Sequence, residues 1–486
     1  MRRIYLFLSF LIGFGCLFSQ PVEKQKGFDC IKASSLMKTV EMLCLPELEG
    51  RLPGGDGYNK ACDSMSQRFR SLGLMPFNKD VYYQEFTIEH NTILSPCYMK
   101  LFPGKKNEEK WSLGKDFICR GFTGGGNPKS EVVFCGYGIT DKTSGYDDYK
   151  DVNVKGKIVL IIKKNPDWKL NDAGWGDLSI RKKAQIASEH GATGMILVSH
   201  PSDWQTVPIG SVMEGTGEQL TGFPQTHITI ENANKILSAS SNSIADLCKK
   251  IDTEKKPFSL RTGANIEISI QTNYQKTTTT KNVIGIMEGS DPELKKEYVI
   301  ISGHLDHVGS QGGGEIYFPG ANDDASGSAA VLEIARAFSS TGRRPLRSLV
   351  FILFACEEHG LDGATYCANN FPFPLENVKA MLNFDCIAFG DSIKVGGGGA
   401  APELWNMTRT NDSLFVKKMV EETWESGGAD ATPFAEKGVK TLYFVTTNSY
   451  GHLHQITDKP ETLNQNLFEK VVKLGFLSAF DVANKK

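Results

Sequence analysis

Five short apolar runs between Asn282 and Thr447 constrain this chain more than any other feature. They read "NVIGIMEG", "EYVIISGHLD", "RSLVFILFACEE", "VKAMLNFDC" and "VKTLYFVTT". Each is too short for a helix and apolar on both faces, which predicts strands buried on both sides. Between them lie segments of helical period, "SGSAAVLEIARAFSS" and "DSLFVKKMVEETWES". Strand alternating with helix predicts an α/β fold, a mainly parallel mixed sheet sandwiched by helices.

The ends of these runs are polar, and their polarity is of one kind. The second run closes in His304, Asp306 and His307. The turn "GANDDASG" supplies Asp323 and Asp324, the third run ends in Glu357 and Glu358, and the fourth ends at Asp385. After the fifth comes "SYGHLHQITD", with His452, His454 and Asp458. The carboxyl edge of an open α/β sheet is where ligands bind. Imidazoles and carboxylates converging there suit zinc, although manganese or cobalt would accept the same donors. No Lys or Arg lies in the four strand-end turns, so the carboxylates need another source of positive charge. Two divalent cations roughly 3.5–4 Å apart would provide it.

The rest of the chain organises around this series. With 486 residues, two domains or one with an insert are expected. Residues 31–75 read as helical, and residues from about 80 to 135 as short strands and turns. Residues 131–262 read as a β–α–β unit of their own, followed by the polar run "NYQKTTTTKN". A net charge of −2 without a basic run excludes a nucleic-acid binder. "MRRIYLFLSFLIGFGCLFSQ" reads as an export leader removed near Ser19, with lipid anchoring through Cys16 the lesser alternative. No later apolar run is long enough to span a membrane. Ten cysteines follow the leader at irregular spacings, and their pairing is left open.

Taken together, "SGHLDHVG", "GANDDASG", "FACEEHGLDGATY", "NFDC" and "HQITD" resemble, in order, the motifs of the zinc-dependent aminopeptidases of metallopeptidase family twenty-eight. "ELEGRLPGGDGYNKA" is similar to the opening segment of that family. The stretch from "CGYGITDKTSGYDDYKDVNVKGKIVLI" to "EHGATGMILVSHP" resembles a protease-associated domain. The resemblance implies a zinc exopeptidase fold with a β-rich insert: leader 1–19, peptidase domain 20–112 and 266–486, insert 113–265. It also implies two zinc ions per chain, His304 and Asp385 on one, Glu358 and His454 on the other, and Asp323 bridging. Glu357 would be the general base, and Asp306 would orient His304.

Two positions depart from the family pattern. Leu453 stands where an aromatic residue commonly precedes the last histidine, so Tyr450 becomes the candidate oxyanion donor; Ala431 replaces a usual histidine in "GGADATPF". His307, His359 and His452 are read as surface or capped residues, and Asp324 as a helix N-terminal carboxylate. The insert would be either a spacer or a lid.

These features imply an exported enzyme that removes the N-terminal residues of peptides or proteins. A carboxypeptidase would need arginines at the site, and Arg343, Arg344 and Arg409 belong to no motif that places them there. A glutaminyl cyclase uses one zinc and fewer ligands. A catalytically degenerate peptide-binding protein would have no need to keep Glu357.

Overall fold

The computed structural model of the chain describes residues 21–103, 108–170, 174–212 and 217–486. The segment read as an export leader, with Cys16 and Ser19, lies outside the described residues. The main strands in chain order are β1 (Tyr83–Phe102), β2 (Lys129–Cys135), β3 (Ile158–Ile162), β4 (Gly194–Val198), β5 (Gln225–Ile228) and β6 (Ser259–Met287). They continue with β7 (Tyr298–His304), β8 (Ser348–Phe354), β9 (Val378–Phe384), β10 (Ile393–Gly396) and β11 (Thr441–Thr446). All belong to one sheet, ordered β10-β11-β9-β7-β8-β6-β2-β3-β4-β5, with β1 paired to β6.

The peptidase half bears out the predicted α/β sandwich. β8, β7, β9 and β11 run parallel, and only the flanking β6 and β10 are antiparallel. Every residue of β8 is buried, because alternate side chains enter two different cores. Leu349, Phe351 and Leu353 face the helices Ser326–Ser340 and Gln465–Asn484. Val350, Ile352 and Phe354 face Asp362–Asn369 and Thr432–Ala435. Each such fully buried side chain contributes about 1.5–3 kcal/mol of transfer free energy. The first of these cores also takes in Leu36, Val40, Tyr58 and Phe69, which returns the segment before the insert to the peptidase half.

Two further cores lie around parallel β2, β3, β4 and β5, one of which also takes in Met99 and Leu101 of β1 and Ile266 and Ile268 of β6. A small cluster of Ile118 and Val212 with Val308 and Phe318 packs the insert against the peptidase half.

Three local readings change. The short strands and turns expected from about residue 80 begin instead with a single 20-residue strand, β1. The polar run "NYQKTTTTKN" does not link domains; it lies inside the 29-residue β6, which pairs with β1 from Val283 to Asn265. From Asn273 to Thr279 its side chains are exposed or half-buried on both faces, so this β-branched ribbon carries no apolar alternation to read. The helix expected over 412–426 is absent. Pro402–Asn411 is helical instead and ends in a turn at Asp412–Val416, after which Lys417 adopts φ 57°. All ten described cysteines are free thiols; those of Cys97 and Cys119 lie 3.3 Å apart.

Candidate functional site

Parallel register brings the strand ends level. His304 of β7 is the Cα partner of Phe354 of β8, so Glu357 and Glu358 lie just past the same edge. Cys356 (φ 62°) turns the chain between strand and glutamates. Asp385 directly follows β9, and His454 comes from the loop after β11. Asp323 sits in the turn before the Ser326–Ser340 helix, next to a cis Asp323–Asp324 peptide. Gly320, at the start of that turn, has φ 59°, and a Cβ there would lie 2.3 Å from the Asp323 carbonyl and 2.6 Å from His307 Cδ2. Only glycine allows so close a turn.

Asp323 is the centre of the cluster. Its Oδ1 lies 3.2 Å from His304 Nε2, which is 3.7 Å from Asp385 Oδ1. Its Oδ2 lies 3.2 Å from His454 Nε2, which is 2.8 Å from Glu358 Oε2. One carboxylate thus offers each oxygen to a different group of donors. His304 Nε2 is buried and hydrogen-bonds to nothing, despite the carboxylate oxygen at 3.2 Å. This buried nitrogen stands among the carboxylate oxygens of Asp323 and Asp385 without a hydrogen-bond partner, a donor set that suits a cation with nitrogen and oxygen ligands. The two sets His304–Asp323–Asp385 and His307–Asp323–Glu358 each hold their ligand atoms within 4.8 Å.

The second set corrects the reading of His307 as a surface or capped residue. Its ring is fully buried, and Nδ1 forms a 2.8 Å hydrogen bond with Glu358 Oε1. His359 is also not a surface residue: its side chain is buried, and burial lowers its imidazole to about 4. His452 lies at the rim and bonds to Thr457.

The charge pattern follows from packing. Burial alone would lower the His304 imidazole, but Asp306 and Asp323 carry it well above its ordinary value. Burial would raise Asp323, but His304 and His454 hold it well below the carboxylate range. Glu358, despite burial, is brought down to about 2 by His454. Glu357 differs. Burial raises it well above its usual value; His304 opposes the rise and Asp385 adds to it.

Around these groups lies a layer that holds the loops. The Asp306 carboxylate accepts from the backbone N–H of Glu357 (3.2 Å) and of Glu358 (3.3 Å), and it stands 3.5 Å from His304 Nδ1. Asp324 accepts from Gly327 N–H at the helix start, as read from the sequence, and also from His304 and Cys386 N–H. Asp458 accepts from the N–H groups of Asn322 and Asp323. Arg51 is fully buried and donates to the carbonyls of Leu43, Leu305, Pro319 and Gly320, at 2.7–2.9 Å. Tyr443 donates to Asp385 Oδ2 at 3.0 Å.

Sequence reasoning noted His307 but set it aside, and it did not single out Arg51 or Tyr443. Arg51 did leave a signal, a lone basic residue inside the turn-rich "EGRLPGG". Tyr450, the candidate oxyanion donor, is partly exposed at the mouth of an adjoining cleft. The insert touches this layer directly. Gln205 Nε2 donates to the Leu453 carbonyl (2.9 Å), and Gly210 N–H to that of His454 (2.8 Å).

Residues 282–476 match Peptidase family M28, and residues 129–236 match the PA domain. The chain is 25% identical over 389 residues to an aminopeptidase of Pseudomonas aeruginosa, covering 76% of this chain and 61% of that one. It is 27% identical over 275 residues to transferrin receptor protein 2 of Rattus norvegicus, covering 49% of this chain. The chain spans 31% of the length of that relative. The solved Peptidase M28 precursor of Shewanella amazonensis SB2B superimposes with a TM-score of 0.68 over 96% of both chains, at 20% identity, a likeness of fold.

Proposed function

We propose that this chain, which carries a Peptidase family M28 domain with an inserted PA domain, is an exported dizinc aminopeptidase. It removes N-terminal residues from peptides or proteins. The observation that carries the reading is Asp323, with one oxygen facing His304 and Asp385 and the other facing His454 and Glu358.

In this reading His304 and Asp385 would hold one zinc, Glu358 and His454 would hold the other, and Asp323 would be shared between them. When bound, the pair supplies Lewis acidity at the scissile carbonyl and lowers the pKa of the attacking water. Glu357 would take a proton from the attacking water and deliver it to the leaving amine. Its buried, acid-rich surroundings favour a carboxyl that can hold a proton. Asp306 keeps Glu357 and Glu358 in place through their backbone N–H groups and limits the rotation of the His304 ring. His307 orients Glu358. Tyr450 would donate to the developing oxyanion.

Purified protein should release the chromophore from amino-acid anilides with free α-amines, and only when metal is present. Glu357→Ala is expected to lower kcat by about 10²–10⁴-fold with bound zinc unchanged at two per chain, as measured by elemental analysis. Full activity in that variant would overturn the proposed role, and activity confined to blocked N-termini would overturn the aminopeptidase reading.

The carboxypeptidase alternative has little support. Arg343 and Arg344 pair with Glu23 and Glu288, and Arg409 pairs with Glu421. A receptor-like reading is suggested by the transferrin receptor relative alone, and Glu357 beside the complete donor set argues for chemistry.

A further inference from the structure

Beside the donor cluster lies an open cleft of about 970 Å³ with walls from both halves of the chain. The peptidase half contributes Trp424, Tyr443 and Tyr450; the insert contributes Trp204 and the residues just after it. Trp204 is 72% exposed, and its ring centroid stands 6.3 Å from that of Tyr450, itself 43% exposed. Two large aromatic faces left in water at the rim of a cleft are suited to cover an apolar group.

The loop that carries Trp204 is anchored. Its neighbour Gln205 bonds to Leu453 and Gly210 bonds to His454, so the indole is held on the loop that carries a candidate zinc ligand. At the other wall, Tyr443 reaches Asp385. Two walls of the cleft are therefore tied to the loops that carry candidate ligands, which places the cleft next to the centre. Among the described residues Lys394 is the one charged residue lining it, and its ammonium faces Glu422 at 3.6 Å. No carboxylate among the described residues lines the cleft, so its described walls offer a basic side chain no counter-ion.

We propose that the inserted domain forms part of the substrate site. Trp204 and Tyr450 close on the side chain of the peptide's N-terminal residue and select large apolar or aromatic ones. This rests on the aminopeptidase reading above. A small side chain would leave both rings solvated and gain little. The volume lies in the range of roughly 300–1,000 Å³ used for small-molecule recognition, so a whole terminal residue can enter.

The test compares wild type, Trp204→Ala and Trp204→Phe on phenylalanyl and alanyl anilides. Trp204→Ala should lower kcat/KM for the phenylalanyl substrate at least tenfold, mainly through KM, and change the alanyl substrate less than twofold. Trp204→Phe should keep most of the wild-type preference. Equal loss on both substrates, or no loss on either, would overturn the proposal.

A second readout does not depend on turnover. Zinc-loaded Glu357→Ala protein is titrated with Phe-Ala-Ala or Ala-Ala-Ala while tryptophan fluorescence is followed. Saturable quenching by the phenylalanyl peptide alone, absent when Trp204→Phe is added, is expected. If wild type cleaves no anilide but this quenching persists, the aminopeptidase reading falls and the aromatic site stands. If neither cleavage nor quenching occurs, both fall.

Discussion

Arg51 shows how much of this site depends on a residue that touches no candidate ligand side chain. Its guanidinium ties together the carbonyls of Leu43, Leu305, Pro319 and Gly320, and its own carbonyl accepts from His307 N–H. Leu305 follows His304, and Gly320 opens the turn to Asp323, so one side chain sets the spacing of two donor loops. Lysine has the charge but not the planar fork. Arg51→Lys should therefore leave at least one buried carbonyl unpaired and cost about 2–4 kcal/mol of stability, read by urea unfolding, with weakened zinc retention on dialysis. An unchanged midpoint would contradict this. Single residues also mark the limit of sequence reading. His304, Glu358 and Asp385 stand out at the ends of apolar runs, where nothing nearby neutralises them, whereas the choice of Asp323 and His454 from their turns came from the family resemblance. His307 lies three residues from His304 and looks expendable until the backbone shows its ring turned inward onto Glu358.

The long strands β1 and β6 do for the domains what Arg51 does for the loops. The last five residues of β6 pair with β8 in the peptidase half, and its first ones pair with β2 in the insert. One ribbon therefore fixes the insert against the catalytic edge. The buried strands of both halves were legible because continuous apolar runs have few other uses in a globular chain. The solvent-facing middle of β6 was not, since pairing with β1 is a non-local choice. Within the insert, β5 carries His227, whose ring is fully buried and held neutral by burial, with Lys163 and Arg120 adding to the effect. Its folded-state pKa lies well below the ordinary 6.5, so below pH 6.5 the unfolded chain binds a proton that the folded one refuses. Its contribution is complete above pH 6.5 and lost as pH falls, at about 1.4 kcal/mol per pH unit. Urea unfolding at pH 7.5 and 5.5 should show His227→Asn to be less acid-sensitive than wild type by about that slope. Equal sensitivity would mean that His227 takes up its proton in the folded state.

The candidate centre occupies one edge of a molecule whose cores lie elsewhere. Removing metal with a chelator should abolish hydrolysis yet leave the far-ultraviolet circular dichroism unchanged. Thermal unfolding should fall by a few degrees, consistent with about 3 kcal/mol of linkage at a hundredfold excess of ligand over Kd, and zinc should restore it. Collapse of the spectrum on chelation would show instead that the metal holds the fold. The predicted fold class needed only local information, because apolar runs and helical periods dictate which faces must be buried, and a strand ending in acids places charge at a sheet edge. What tertiary structure alone decided was direction. It set which oxygen of Asp323 faces which imidazole, turned His307 inward, and placed Trp204 of the insert opposite Tyr450. Sequence specifies where a side chain is attached; where its polar atoms point depends on loops held by contacts hundreds of residues apart, such as Arg51 to Gly320 and Gln205 to Leu453.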